Sequence, residues 1–439
     1  MDASQDGAST TVASSGSATG FRAPTTPVGA RFVVPFAIAY FGLWMTLLTP
    51  TVIALSVHLA TVLPEGERSG ALALVLGVAG IVGVIANPLV GKLSDRTTSR
   101  LGMRKPWLVA GVVITILGLV VIASSTTVVL ILLGWCVATV GLNATIAALT
   151  SLLPDHVPHH QRGRVSGLLG MGIPVGAVGG AGLAQAFTTR PFLLFLAPAV
   201  VLVIGVGLLL PAYTDRRLRQ EDARQLPRFD WREFLGSYWV SPRRYPDFGW
   251  TWLSRFLVFM GVSTLVTFQA FYLIDQLRIP LERVATLVAV STLVHYAFVF
   301  AASPVGGWLS DRLDRRKVFI TVAAGLYAAG LAVIAFAESF PVFLVGMAVT
   351  GIGEGAYLAV DLALVTDVLP NPDEAAKEMA VFNVATALPP AVAPAVAPLF
   401  LAIPVLSKGT ESNYVALFIV AALFAALGAL AIRPVRSAR

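Results

Sequence analysis

The sequence predicts an all-α membrane protein with twelve spans in two six-helix bundles, and three observations carry that reading. Of its 439 residues, 56% are hydrophobic and only 13% charged, with a mean hydropathy of +0.79. That is too much apolar surface and too few charges to cover a soluble globule. The apolar residues fall into runs near the ~20 residues that a helix needs to cross a ~30 Å hydrocarbon core. Finally, the basic stretch from Asn87 to Trp107, NPLVGKLSDRTTSRLGMRKPW, returns as Ser303 to Lys317, SPVGGWLSDRLDRRK. Pro88, Gly91, Leu93, Ser94, Asp95 and Arg96 match Pro304, Gly307, Leu309, Ser310, Asp311 and Arg312 at a constant offset of 216, so the chain reads as a tandem duplication.

Residues 1–31, rich in Ser, Thr, Ala and Gly, lack the hydrophobic core and cleavage site of a secretory signal and read as a disordered cytoplasmic tail. Spans follow at 32–60, 70–91, 106–124, 128–153, 164–188 and 190–212, forming an N-terminal bundle over 32–212. A basic linker, 213–248, leads to spans at 249–273, 284–309, 318–337, 341–367, 378–403 and 414–432, a C-terminal bundle over 249–432 ahead of a short tail, 433–439. All are helices, because lipid cannot satisfy an open strand edge and the runs are too long for barrel strands. With the N-terminus inside, the cytoplasmic segments hold 25 of the 31 Lys and Arg, which selects this topology and puts the C-terminus inside too.

The net charge of +7 then reflects loop arginines and not a nucleic-acid partner. Cys136, the single cysteine, can form no intrachain disulfide. The linker interleaves Trp231 and Trp239 among its arginines, which suits a segment lying on an anionic leaflet. Leu153-Pro154 and Leu369-Pro370 repeat the offset of 216 at the ends of the fourth and tenth spans. Two six-span repeats in one orientation place a pseudo-twofold along the membrane normal, the arrangement in which one half rocks against the other around a central site.

The loop residues Gly91, Lys92, Leu93, Ser94, Asp95 and Arg96, followed by Arg104 and Lys105 and repeated from Gly307, resemble the signature loop of the major facilitator superfamily. The resemblance extends over all twelve spans. The longer form through Trp107 resembles the glycoside-pentoside-hexuronide cation symporters and the sucrose-transporter-like branch. In the sodium-coupled members an Asp precedes the Pro and another lies four residues earlier; here Asn87 and Gly83 stand there, which argues against that sodium site. The resemblance implies that Asp95 and Asp311 stabilise closure of the cytoplasmic side. In physical terms Gly91 allows close helix approach, and Asp95 and Arg96 at a helix end can pair with neighbouring charges or a helix N-terminus. The competing reading, a solvated turn that only fixes topology, would suit Arg100 and Arg104.

Ionisable groups at bilayer depth cost at least ~2.5 kcal/mol each and normally face a cavity or a partner. In the tenth span Glu354 and Asp361 share one face with Thr350 and Tyr357. Glu354 lies about 20 Å from the span's end near Asp367 at ~1.5 Å per residue, close to the midplane. It is the first candidate for proton coupling or substrate contact, with a fixed buried pair as the alternative. Asp361 is a second relay, a counter-ion of Arg255, or a fixed pair. Arg255, near the start of the seventh span, snorkels to the interface or pairs with Asp361 or Asp367 as an inner gate. His295, central in the eighth span, is a substrate donor, a proton relay with Glu354, or a packing residue.

No charge lies at the midplane of the N-terminal half. Its candidates for substrate contact are Tyr40 and Trp44, one turn apart on the first span, and Trp135, Thr139 and Asn143, a stripe on the fourth; helix packing is the equal alternative. Tyr357 joins this set from the tenth. Gly172, Gly176 and Gly180 give the fifth span a small-residue face for close contact. Pro389, Pro390, Pro394 and Pro398 favour a kinked eleventh span. Gly351, Gly353 and Gly355 sit mid-span with no preceding strand and are no nucleotide loop. His156, His159 and His160 read as a polar turn with no metal.

The expectation is therefore a monomeric secondary transporter in the plasma membrane. It would move a small organic solute, a sugar or glycoside, by proton-coupled symport. Efflux of drugs or secondary metabolites is the alternative within transport, and a non-transporting receptor or sensor is the alternative outside it. No nucleophile, metal or cofactor constellation supports an enzyme.

Overall fold

The computed structural model describes residues 24–218, 221, 240–313, 315–368, 375–403 and 412–435. Most of the 1–31 tail, most of the linker with its tryptophans, and the last four residues lie outside that set, as do the side chains of Asp311 and Asp367. Every regular element among the described residues is helical. In chain order the spans are α1 (Ala30–Val62), α2 (Glu65–Asp95), α3 (Lys105–Ser124), α4 (Val128–His156), α5 (His159–Phe187) and α6 (Pro191–Ala212). The second six are α7 (Pro246–Gln276), α8 (Leu281–Leu313), α9 (Arg316–Ala335), α10 (Phe340–Val368), α11 and α12 (Tyr414–Ala431). Eleven are single helices long and apolar enough to cross a membrane; the twelfth, α11, is bent by 41° between Val381–Ala387 and Pro389–Leu401.

Proline explains the bend of α11. Pro389 and Pro390 remove two successive N–H donors, and α11 bends there. In α1 the ladder widens to a π-turn over Pro50–Ala54. Around it the hydroxyls of Thr46, Thr49 and Thr51 donate to the carbonyls of Gly42, Met45 and Leu47. A second π-turn, Tyr272–Gln276, ends α7. Outward faces carry large apolar side chains, such as Val109, Val113 and Leu117 on α3, as lipid contact requires.

The duplication is visible in packing. Where α3 crosses α4, a Cβ added to Gly118 would lie 2.5 Å from the Gly134 carbonyl, and one on Gly134 would meet Ile122. Where α9 crosses α10, Gly330, Gly346 and Ile334 repeat the arrangement, each 212 residues on. The offset is thus 216 up to the α2–α3 hairpin and 212 after it, because the second hairpin is four residues shorter. The match of Leu153-Pro154 to Leu369-Pro370 is therefore corrected: at the offset of 212 the counterparts are Val365 and Thr366, and Leu369-Pro370 lie outside the described residues.

Helix boundaries also move. Helix α2 runs to Asp95 and α8 to Leu313, so the residues from Lys92 to Asp95 belong to a helix end and not to the loop. His156 closes α4, while His159 and His160 open α5. Nothing lies within 4 Å of a Cβ on Gly91, so the close approach expected there is made elsewhere on α2. A Cβ on Gly80 would sit 2.6 Å from the Ala391 Cα of α11, which brings the two halves into backbone contact. The Gly172, Gly176 and Gly180 face of α5 packs on α1, where a Cβ on Gly176 would lie 2.7 Å from the Trp44 carbonyl carbon.

Candidate functional site

The polar groups of the spans gather at three levels. At the hairpin end, Arg104 is the hub. It is only 7% exposed and bonds Asp95 at 2.7 Å, Asp155 at 3.2 Å and the Ser94 hydroxyl at 2.8 Å. The Asp215 carboxylate accepts the backbone N–H groups of Arg104 (2.6 Å) and Lys105 (2.8 Å), neutralising the positive start of α3. The Lys105 ammonium stands 4.9 Å above the Tyr213 ring, whose hydroxyl burial pushes above the usual phenol range. Arg96 is half-buried at the end of α2, and Arg312 stacks over Trp308 at 5.2 Å. A solvated turn therefore describes exposed Arg100 but not Arg104. The described partners of Asp95 and Arg104 all belong to the first six helices and the start of the linker.

Below that level, α7, α10 and α11 are tied by Arg255. Its guanidinium forms an ion pair with Asp361, itself 2% exposed, donates to the Thr386 hydroxyl at 2.6 Å and lies over the Phe382 ring at 4.4 Å. Tyr357 lies against the same carboxylate. These partners all belong to the second six helices, so in this conformation Arg255 braces one half and does not bridge the two. At the opposite end of the bundle the halves do meet. The Tyr414 hydroxyl of α12 donates to buried Asp275 at 2.6 Å and lies 2.9 Å from the Ser69 hydroxyl of α2. Arg68 faces Asp275 at 3.7 Å, and Arg278 faces Glu65 at 3.4 Å.

Between these levels is a cavity of about 50 Å³, bounded by α1, α5, α7, α8, α9 and α10. His295 and Glu354 meet in its wall, with Nε2 and Oε2 3.2 Å apart. The hydrogen-bond network orients the imidazole of this pair. Thr350 donates its hydroxyl proton to the Met347 carbonyl at 2.9 Å. Both oxygens facing His295 Nδ1, Thr350 Oγ1 at 3.1 Å and Met347 O at 3.3 Å, can then only accept. Nδ1 therefore carries hydrogen, and Nε2 of a neutral ring presents a lone pair to a carboxylate oxygen. Nε2 and Oε2 stand within hydrogen-bonding distance, a contact that a proton on either partner would complete.

Three further wall groups are not conspicuous in the sequence because each is an uncharged polar residue within a membrane span. Gln269 Oε1, Thr292 Oγ1 and the Tyr327 hydroxyl are buried, line the cavity and have no hydrogen-bond partner. The other candidates lie outside this wall. Tyr40 and Trp44 pack against the α5 glycines, and the Trp44 Nε1 is also unpartnered. Trp135 is 2% exposed inside the first half. Asn143 donates to the Thr139 carbonyl at 2.9 Å, and both side chains abut Gly83, where a Cβ would come within 3.2 Å of each. A side chain at position 83 would thus need the Thr139 and Asn143 side chains of α4 to give way slightly. Among the described residues no group of three or more His, Cys, Asp or Glu is placed to hold a metal.

The profile of the Major Facilitator Superfamily matches residues 33–295 and 285–439. A fission-yeast protein, described as an uncharacterized MFS-type transporter of Schizosaccharomyces pombe, is 25% identical over 198 residues. That match covers 45% of this chain and 43% of that one, so the chain matches less than half of that relative's length. Among solved structures, the nucleoside transporter NupG is similar with a TM-score of 0.69 at 13% identity, over 93% of this chain and 99% of that one. A bacterial homolog of the human lysosomal transporter Spinster, inward-facing and unoccupied, gives 0.69 at 15% identity over 93% and 98%. A D-xylose-proton symporter gives 0.69 at 16% identity over 93% and 99%. At these identities the three structures speak for the fold alone.

Proposed function

Since the chain belongs to the Major Facilitator Superfamily and is a multi-pass membrane transporter and no enzyme, we propose that it moves a small organic solute across the plasma membrane as a proton-coupled monomer. Access alternates between the two faces as the half at 32–212 rocks against the half at 249–432, with the linker 213–248 and both termini cytoplasmic. The observation that carries the reading is the His295–Glu354 pair, 3.2 Å apart in the wall of the cavity and so placed to share a proton. Loss of that proton turns the contact into a repulsion between α8 and α10, so proton release and helix movement are linked. With the termini inside, the Ser69, Asp275 and Tyr414 cluster closes the outer face, and the Arg104 hub serves the inner gate together with the repeated motif residues Gly307, Asp311 and Arg312. Arg255, Asp361 and Asp367 act as struts of that gate, and Tyr40, Trp44, Trp135, Thr139, Asn143 and Tyr357 come to the cavity as it opens.

The extended loop's resemblance supports a sugar or glycoside carried by symport. A second reading, proton-driven export of a drug or secondary metabolite, is favoured by the cavity wall, where Leu48, Val52, Val262, Leu265 and Val266 present aliphatic carbon. Flux into proteoliposomes under an imposed gradient of one pH unit tests the common core of both. For one proton per neutral solute the gradient supports about tenfold accumulation, since a tenfold ratio corresponds to ~1.4 kcal/mol. We expect a member of a panel of sugars, glycosides and amphipathic amines to approach that ratio and to lose it with a protonophore. Solutes that only equilibrate, gradient or none, would refute proton coupling.

A further inference from the structure

We infer that the α8–α9 hairpin carries a binding site for the headgroup of an anionic phospholipid, with Trp308, Arg312 and Arg315 as its contacts. The site stands without proton coupling, and only its leaflet, the cytoplasmic one, rests on the topology proposed above. Its first support is the inequality of the two hairpins. In the first, Trp107 donates its Nε1 hydrogen to the Thr97 hydroxyl at 2.8 Å, Arg104 is buried among carboxylates, and Lys92 and Arg96 are both engaged. Trp308 and Arg312 hold the positions that match Lys92 and Arg96, and both are exposed. Trp308 is 59% exposed, and the Arg312 guanidinium lies over its ring at 5.2 Å. Lys317 is turned inward and donates to the Val435 carbonyl beyond α12. Arg312 and the exposed Arg315 form no ion pair among the described residues. Asp311 and Asp314, whose side chains lie outside the described set, are outnumbered: four basic and two acidic residues give the stretch 311–317 a net charge of +2.

This chemistry fits a phosphodiester on an acyl body. A guanidinium offers a planar fork of donors that meets two phosphate oxygens at once, and stacking on the indole holds that fork in place before the lipid arrives. Trp308 lies about 6 Å deeper along α8 than Arg312, at ~1.5 Å per residue. The indole therefore sits at the membrane interface when the guanidinium is level with the phosphate. Val305, Val318 and Val322, exposed on the two helices, continue the face into the acyl region. A zwitterionic headgroup brings its own cation towards the two arginines, so the site favours a lipid with net negative charge. Free phosphate has no chain for the valines and gains only the charge.

Native mass spectrometry of the purified full-length protein in detergent tests this, with dioleoylphosphatidylglycerol and dioleoylphosphatidylcholine titrated in turn. We expect one phosphatidylglycerol to be held at least about tenfold more tightly than phosphatidylcholine, and to stay bound in an excess of inorganic phosphate. Arg312→Gln should weaken it at least about fivefold. Arg312→Lys, which keeps the charge and loses the fork, and Trp308→Leu, which loses the stack, should each weaken it about threefold. Arg100→Gln removes an exposed arginine from the first hairpin and should change retention by less than about twofold. Equal retention of the two lipids, displacement by phosphate, or native binding by Arg312→Gln would each overturn the inference. So would a loss in Arg100→Gln as large as that in Arg312→Gln, because a diffuse basic face would then be attracting the lipid. Transport plays no part in this readout: a lipid that fails to bind leaves proton coupling standing, and solutes that only equilibrate in proteoliposomes leave the lipid site standing.

Discussion

Glu354→Gln is expected to abolish gradient-driven accumulation while leaving solute exchange across the membrane intact. The side chain keeps its length, and its amide N–H can donate to His295 Nε2 as a protonated carboxyl would, so the 3.2 Å contact survives. The variant therefore imitates the proton-loaded pair at every pH and can no longer release its proton. With a gradient of one pH unit, accumulation should fall from about tenfold to the equilibrium ratio of one. Counterflow, in which labelled solute exchanges against unlabelled solute without net proton movement, should persist within a few-fold of the native rate. A variant that accumulates as the native protein does would remove Glu354 from the coupling step. One that neither exchanges nor accumulates, yet is folded, would make the residue essential to the conformational cycle itself.

The second large effect is expected at Arg255 and Asp361. The pair is buried on both sides, with side-chain exposures of 8% and 2%. Removing one partner leaves the other charge stranded, which typically costs ~3–5 kcal/mol, whereas replacing both with apolar residues of similar volume is often neutral. Arg255→Met and Asp361→Leu should each lower the thermal midpoint of the detergent-solubilised protein by several degrees, and the double substitution should recover most of that loss. Arg255 also donates to Thr386 and covers the Phe382 ring, so the recovery should stop short of complete. A double variant as unstable as the two losses combined would show that the ion pair is not what holds α7 to α10.

Spans and duplication were legible because they depend on local composition and on a repeated hairpin. Runs of apolar length mark helices whatever packs against them, and Asp95 and Asp311 sit in matching sequence motifs whether or not the folds are in register. Register itself needed three dimensions: the step from 216 to 212 shows only when Gly118 and Gly330 are seen at equivalent crossings. Depth along a helix singled out His295, Glu354, Arg255 and Asp361, since a charge near the middle of an apolar run is conspicuous in any sequence. Which group faces which depends on helix rotation, and so does the assignment of a hydrogen to His295 Nδ1, which rests on Thr350 donating to Met347. Arg104 looked like one more loop arginine, because Asp155 and Asp215 lie far from it in the chain. The Asp275 cluster was hidden for the same reason: Arg68, Ser69 and Tyr414 come from helix ends that only the closed bundle brings together.

The most direct test of the central claim reverses the energetics: a solute gradient is imposed on proteoliposomes with equal pH on both sides, and the internal pH is followed with a trapped indicator. If the His295–Glu354 pair couples solute to proton, downhill solute movement carries protons in fixed ratio, and the internal pH shifts in native protein but not in Glu354→Gln. The sign of the shift distinguishes symport from exchange. Solute that crosses at full rate with no change in internal pH would contradict the account.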